Sequence, residues 1–348
     1  AVHVALEGPE VKEEAVQACL SLMQKRHPLL RRTVERTPLG LAFVPFEGSI
    51  PVFFRKLPAG GTPEKLWNDI EARPLRPGQA LGRVHVIPSR DGGRRTDFIF
   101  EMEHAVCDGA SLIGFSGEFL EELSTYVETG KMGSVNPRPL TLSMNTHCAA
   151  EVGGKTQALA RAGRRLLGIL WRVRKQLPVG LARRRDRRHT ECRTHVARTS
   201  LTREETERLE RIARAERSSL GTALGAAFTL AIGDRTPEAE DRHETRHFNI
   251  SLSASLRHRY SNRVADEELG VHVSGVDAPM YFPRALGREA SDLWEAARVV
   301  KSVLNAGMSQ GQDAQWLVPF VAGIAMVLPL FVPQANLMCS MLLTDLSL

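Results

Sequence analysis

The sequence has few cysteines, and their spacing excludes a disulfide framework and a zinc finger. None of the five forms a CxxC pair or stands at zinc-finger distance from a histidine. An odd number of widely scattered cysteines is typical of reduced thiols, which predicts an intracellular, cytoplasmic protein. The first fifteen residues also lack the apolar segment of a signal peptide and carry four glutamates instead.

Membrane spans and repeats are missing as well. One strongly apolar segment, 317–332, has sixteen uncharged residues but contains two prolines, whereas a membrane-spanning helix needs roughly twenty apolar residues. We therefore expect this segment to be buried within the protein. The chain has 348 residues, 43% of them hydrophobic and 25% charged, and this balance excludes a disordered or collagen-like chain.

Positive charge is concentrated in one part of the chain. Residues 151–200 hold 14 Lys and Arg against 3 Asp and Glu, so the remaining residues carry −5 of the overall +6. No nucleic-acid-binding motif accompanies this basic segment, and we expect no nucleic-acid partner. Two interpretations remain open: a solvated linker, and peripheral contact of 161–198 with an anionic membrane.

Hydrophobic periodicity predicts strands and helices on both sides of the basic segment. Alternation predicts strands at 2–6, 81–87 and 97–104, of which the last two form a hairpin. Helical spacing predicts helices at 11–26 and 110–127. After the basic segment, the pattern predicts a helix opened by the capping box at 202–205, strands at 248–254 and 271–276, and helices at 220–232 and 293–304.

These patterns divide the chain into three parts. We expect a first lobe at 1–150, a basic crossover linker at 151–198 and an incomplete second lobe at 199–348. The chain opens with Ala1, and both of its ends lie in patterned sequence. We therefore expect a fragment that is truncated at both ends.

The segment 103–109, which reads EHAVCDG, carries the strongest chemical signal. The imidazole of His104 is a residue type that accepts a proton from a hydroxyl or an amine near neutral pH. Asp108 is placed to hold the loop by pairing with an arginine, and Gly109 permits a tight turn or a close approach to a ligand. The positive end of the following helix would favour an oxyanion there. The alternative is a core histidine beside an aspartate that merely caps the helix.

His104, Asp108 and Gly109 in this order resemble the HHxxxDG signature of the chloramphenicol-acetyltransferase-like acyltransferases. This superfamily includes nonribosomal-peptide condensation domains, plant BAHD acyltransferases, alcohol acetyltransferases and mycobacterial polyketide-associated acyltransferases. The segment 26–31, RHPLLR, is similar to the RHxxLR element of the group. The segments 269–275 and 336–346 resemble two of its later strand elements.

The resemblance implies an α/β fold of two lobes, with mixed sheets and an interlobe tunnel. It implies acyl transfer from a thioester on CoA or on a carrier protein to an alcohol or amine, without a metal or redox cofactor. His104 is then the general base, Gly109 completes the catalytic motif, and Asp108 is structural. The expected ionic partner of Asp108 is Arg31, with Arg257 as the second choice. Residues expected to line the acceptor side for a hydrophobic substrate are Trp316, Phe320 and Met326.

Two features depart from the family pattern. Glu103 stands where the first motif histidine is expected, and the late DFGWG element has no counterpart before Leu348. A CoA-dependent O-acyltransferase of lipid metabolism is the leading hypothesis. A catalytically silent condensation-like scaffold or docking module, and a basic membrane-surface protein without chemistry, are the alternatives.

Competing catalytic motifs are incomplete. The stretch 153–156 lacks the first glycine and the preceding strand of a phosphate-binding loop, and 114–117 is not a GxSxG elbow. Cys107 has no evident acidic partner to orient a Cys–His pair, which favours a buried, unreactive thiol.

Overall fold

The structure is a computed structural model whose described residues fall into two compact units. Residues described are 1–144 apart from 39, 58–59, 72–74 and 90–93, then 146–147, 163, 167–168, 171, 197, 199–235, 244–283, 286, 289–309 and 341–343. The first unit combines Ala1–Met144 with Asn262–His272, and the second contains Thr199–Ser261 and the described residues from Val273 onward. The segment 262–272, which the sequence pattern assigned to the second lobe, thus groups with the first.

A four-stranded mixed sheet forms the centre of the first unit. Its strands are β1 (Val2–Glu7), β4 (Val52–Phe54), β5 (Gly82–Pro88) and β6 (Arg95–Met102). They lie in the order β1-β6-β5-β4, with β4 and β5 parallel and the other pairs antiparallel. The predicted antiparallel pairing of the segments 81–87 and 97–104 is confirmed.

The alternation along β6 gives the sheet two apolar faces, because successive side chains of a strand point to opposite sides. Phe98 and Phe100 are fully buried in a core with helices α1 (Glu13–Arg26) and α3 (Gly109–Thr129). Ile99 belongs to a smaller cluster on the other side, against α2 (Pro63–Glu71). Helix α3 is thereby packed along the strand that leads into segment 103–109.

The sequence pattern missed a β-hairpin next to α1. A 3-10 turn, Pro28–Arg31, leads into β2 (Arg32–Thr37), which pairs antiparallel with β3 (Gly40–Pro45). Strand β3 is largely exposed, and β2 is only partly buried and carries more charged than apolar residues, so alternation gave a weak signal. The hairpin therefore lacks the regular alternation of buried apolar and exposed polar residues by which a strand is predicted.

The second unit has three described helices and three described strands. The helices are α4 (Arg203–Ala215), α5 (Leu220–Arg235) and α6 (Ala290–Ser309), and the strands are β7 (Thr245–Ser255), β8 (Val273–Pro283) and β9 (Met341–Leu343). Strand β7 lies in the middle, antiparallel to β8 and parallel to β9. The predicted capping box of Thr202 and Glu205 opens α4, while the strand predicted at 271–276 starts later and runs to Pro283.

A search of the described helices for a membrane span finds none with the required length and hydropathy. Most of the basic segment 151–198, including the region considered for membrane contact, lies outside the described residues.

An ion-pair network fixes α3 against α1 in the first unit. Arg26, the last residue of α1, binds Glu118 and Glu122 at 2.7 Å through its two terminal nitrogens. The ring of His27 is 1% exposed and its Nε2 donates to Glu118 at 2.9 Å. Arg138 reaches Glu118 from the following loop at 3.2 Å. The RH pair of the RHPLLR segment is therefore structural in this chain.

The network lowers the pKa of the Glu118 carboxyl. Burial by itself would raise it, but hydrogen bonds from His27 and Arg26 outweigh burial and bring the pKa from 4.5 to about 2. A carboxyl whose pKa is lower in the folded than in the unfolded state stabilises the fold above its unfolded value. That stabilisation is lost as the pH falls from about 4.5 towards 2.

We predict that Glu118→Gln lowers the free energy of unfolding at pH 7 by about 2–4 kcal/mol, because Arg26 and His27 then lose their anionic partner. Urea denaturation monitored between pH 7 and pH 2 measures the effect. The difference between the variant and the parent is expected to shrink below pH 4.5. Glu121→Gln, an exposed change on the same helix, is the control. Equal unfolding free energies for the two variants would contradict this assignment.

Candidate active site

His104 lies in a tight turn between β6 and α3. Strand β6 ends at Met102, and the amide of Val106 donates to the Glu103 carbonyl at 3.0 Å to close the turn. The strand predicted at 97–104 is therefore two residues too long, and His104 does not continue its apolar face. The imidazole is exposed at the surface of the first unit instead.

Asp108 is the N-cap of α3 and is 5% exposed. Its Oδ1 accepts from the backbone amide and the hydroxyl of Ser111, each at 2.9 Å. The Ser111 hydroxyl lies 3.1 Å from the amide of Asp108, which completes a capping box. The cap, which the sequence offered as the alternative role of Asp108, is thereby confirmed; the Asp-x-x-Ser spacing that also indicates it was not used.

The second carboxylate oxygen of Asp108 binds a distant segment of the chain. Oδ2 accepts from the backbone amide of His272 at 2.9 Å, and the amide of Asp108 donates to the Gly270 carbonyl at 3.1 Å. Leu269, beside these bonds, is buried in the same core as Phe115 and Cys107. We call residues 269–272 the clasp segment. Its sequence resembled a later family strand, but its contact with Asp108 spans 164 residues and left no local signal.

Gly270, in the clasp segment, has a backbone conformation and surroundings that favour glycine. It has a φ of +157°, and a Cβ at this position would lie 2.7 Å from Nε2 of His272. Any larger residue would therefore push away the His272 ring, which is itself 1% exposed.

Helix α3 also lies close to the chain that precedes the clasp segment. A Cβ at Gly114 would be 3.0 Å from Cα of Glu267, whereas a Cβ at Gly117 would meet nothing within 4 Å. Glu268 is fixed nearby, because its carboxylate accepts from the Thr141 hydroxyl at 2.8 Å and from the Ala265 amide. Residues 266–272 therefore contact α3 at its N-cap and again near Gly114.

The arginines predicted to pair with Asp108 have different positions. Arg31 is exposed in the 3-10 turn and forms no ion pair with Asp108, so this first choice is wrong. Arg31 is at the exposed end of the RHPLLR segment, whereas Arg26 and His27 at its other end are buried. Arg257 is 0% exposed, as a paired guanidinium would be, and its pairing with Asp108 stays a prediction.

The roles predicted for the first turn of α3 change as well. Gly109 is the first residue of the helix and is absent from the positions with positive φ, so it is not needed for a tight turn. The Asp108 carboxylate accepts from the Ser111 amide at the positive end of α3, so that amide is not available to an oxyanion. Cys107 is 3% exposed, in agreement with the unreactive thiol expected from the sequence.

Trp316, Phe320 and Met326, predicted to line the acceptor side, lie outside the described residues. Within the described ranges, no group of three or more His, Cys, Asp or Glu side chains is arranged to hold a metal ion.

Several solved structures have a fold similar to that of this chain. Polyketide synthase associated protein 5 from Mycobacterium tuberculosis matches with a TM-score of 0.60 and 18% identity, over 90% of this chain and 70% of its own. The first condensation domain of the CDA synthetase matches with a TM-score of 0.60 and 19% identity, over 88% and 68%. The EpoB NRPS cyclization-docking bidomain from Sorangium cellulosum matches with a TM-score of 0.61 and 14% identity, over 99% and 65%.

The chain has the condensation-domain fold. The α/β fold with mixed sheets, expected from the HxxxDG resemblance, is thereby confirmed. No protein-family model matches the sequence, and neither does any curated protein with which it was compared.

Asp108 and His104 have different roles in segment 103–109. The carboxylate of Asp108 is used by hydrogen bonds to Ser111 and His272, which hold the loop from inside. The imidazole of His104 forms no described hydrogen bond and is exposed, so it is available to a reacting group. Such a site has one proton acceptor on a loop that is anchored four residues later.

We predict that Asp108→Ala lowers the free energy of unfolding by about 3 kcal/mol, because one cap and one buried tie to the clasp segment are lost together. Thr202→Ala is the matched control, since Thr202 caps α4 with the same type of capping box at an exposed position. Its cost is expected to be about 1 kcal/mol. Chemical denaturation of both variants measures the difference, and equal costs would refute the role given to the clasp segment.

Two glycines of α3 provide a second test. Gly114→Ala is expected to destabilise the protein by about 1–2 kcal/mol, because its Cβ would press on the backbone of residue 267. Gly117→Ala, three residues later, is expected to stabilise it by about 0.5–1 kcal/mol, because alanine favours a helix and finds open space. Thermal unfolding compares the two. If both substitutions raise the melting temperature, residues 266–267 do not approach α3 as closely as the structure indicates.

Proposed function

We propose that this chain is an acyltransferase that moves an acyl group from a thioester to an alcohol or amine, with His104 as general base. The observation that carries the proposal is the exposed imidazole of His104, set on a turn that Asp108 anchors from within. The condensation-domain fold supports it, because the similar structures include a condensation domain and a polyketide synthase associated protein.

The proposed reaction needs only one proton acceptor. His104 takes the proton of the acceptor hydroxyl or amine as the oxygen or nitrogen attacks the thioester carbonyl. The new C–O or C–N bond forms, the C–S bond breaks, and the thiol leaves with the proton held by the imidazole. The thioester is a co-substrate in this scheme, and no metal or redox cofactor is proposed.

Asp108 serves as a positioning residue in the proposed mechanism. Both of its carboxylate oxygens are bound within the first unit, so it orients the loop and does not touch the reacting atoms. The proposal gives the Ser111 amide no part in stabilising the oxyanion, because that amide donates to Asp108. The proposal has two forms, which differ in the donor of the acyl group: CoA in one and a carrier protein in the other.

An assay of thiol release tests the proposal. We expect the protein to release thiol from an acyl thioester when an alcohol or amine is added, and His104→Ala to reduce the rate by roughly 10²–10⁴-fold. Acetyl-CoA and octanoyl-CoA, and the same acyl groups on phosphopantetheine, are the donors to compare. Glu103→Gln is the control, because it changes the neighbouring residue of the same turn without removing the imidazole.

Because the His104 side chain is exposed and forms no described hydrogen bond, His104→Ala is expected to leave the free energy of unfolding within about 0.5 kcal/mol of the parent. A lost rate with unchanged stability therefore reports on chemistry. Equal rates for the parent and His104→Ala would overturn the assignment of the base.

A catalytically silent scaffold is the second candidate. The observation that favours it is Glu103, which stands at the first position of the histidine pair. Under this alternative, the folded protein releases no thiol from any donor, and Glu103→His does not change that result. Activity of the parent protein excludes it.

A further inference from the structure

A depression of about 470 Å³ lies beside the carboxyl-terminal half of α1 in the first unit, apart from segment 103–109. Ser21 and Gln24 of α1 border it on one side, and the loop 45–49 borders it on the other. Arg31 lines this depression, so the residue that does not pair with Asp108 has a place in a different feature of the molecule.

Three cations from three successive elements converge on the depression. Lys25 comes from the last turn of α1, Arg31 from the 3-10 turn, and Arg32 from the start of β2. None of the three forms an ion pair with another described residue, and the acid in the lining is Glu47. Like charges held around one cavity repel each other, and a multivalent anion relieves that repulsion.

Hydrogen bonds of Gln24 and Phe46 hold part of the lining in place. Gln24, 9% exposed, donates to the carbonyls of Leu30 and Gly48 and accepts from the amide of Ile50. The amide of Phe46 donates to the Arg31 carbonyl at 3.0 Å. A binding site whose walls are fixed before the ligand arrives loses little entropy when it is filled.

Gly48 completes this wall. A Cβ at Gly48 would lie 2.5 Å from the Phe46 ring, so the glycine lets the loop fold over that ring. The Gly48 carbonyl accepts from the Gln24 side chain, which links the loop to α1.

The depression continues along α1 as a groove. A second depression of about 640 Å³ shares Ser21, Gln24 and Ser49 with the first and reaches Glu14 near the start of the helix. Its lining is mostly uncharged, with Ala18 and Leu20 of α1 facing Pro51 and Val52. The groove thus has one cationic end and a long neutral part.

We propose that Lys25, Arg31 and Arg32 bind the phosphate group of a phosphorylated ligand, whose uncharged part lies along α1 towards Glu14. Arginine binds phosphate oxygens in a two-pronged manner, and lysine adds a compact positive charge, so the three side chains together suit a phosphate ester or diphosphate. The proposal is independent of the acyl transfer, because it uses no residue of segment 103–109. A soluble phosphate ester and a phospholipid headgroup share this chemistry.

Calorimetry with inorganic pyrophosphate tests the site in the full chain. We expect the parent to bind pyrophosphate, and the double variant Lys25→Ala/Arg31→Ala to bind it at least about tenfold more weakly. Arg208→Ala/Arg211→Ala is the matched control: it removes the same charge from exposed positions of α4 and is expected to bind like the parent. Glu47→Gln is expected to strengthen binding, because it removes the acid from the lining.

Vesicles distinguish the two sources of the phosphate group. Flotation with phosphatidylcholine vesicles, with and without phosphatidic acid, is measured for the parent and both double variants. Binding that requires phosphatidic acid and is lost only in Lys25→Ala/Arg31→Ala identifies a headgroup, while pyrophosphate binding without flotation identifies a soluble ester. No pyrophosphate binding by the parent, or equal weakening in both double variants, would overturn the proposal.

Discussion

The first unit depends on one buried carboxylate, that of Asp108. It caps α3 through Ser111 and holds the clasp segment through the amide of His272, so a residue late in the sequence is tied to the loop that carries His104. A buried carboxylate is costly unless its oxygens are satisfied, and here both are bound. The hydrogen bonds that offset the cost of burying this carboxylate therefore also fix the loop that carries the imidazole, four residues earlier.

Helix α3 is held by a different set of charges about three to four turns further along. Glu118 and Glu122 receive Arg26 and His27 from the end of α1, and Phe115 packs edge-on against the His27 ring at 5.7 Å. The two motif-like segments, RHPLLR and EHAVCDG, are thus parts of one structural unit through α3. In this chain the first segment positions the helix, and the second places the imidazole at its start.

The sequence predicted the parts that obey local rules. Alternation along 97–104 predicted which side chains of β6 face α1 and α3, and the capping box at Thr202 predicted the start of α4. The sequence pattern missed two contacts. The turn at 103–106 ends β6 earlier than alternation predicted, and Asp108 binds His272, which is 164 residues away in the sequence. Arg31 was assigned by resemblance, which carries no information about the local path of the chain.

The central claim is that the Asp108 carboxylate joins the start of α3 to the clasp segment. Native-state hydrogen exchange of two amides, Ser111 and His272, measures this directly, because each donates to a different oxygen of that carboxylate. Both amides are expected to be protected in the parent and to lose protection in Asp108→Ala, while the capped amide of Glu205 in α4 is unchanged. Continued protection of His272 in the variant would contradict it.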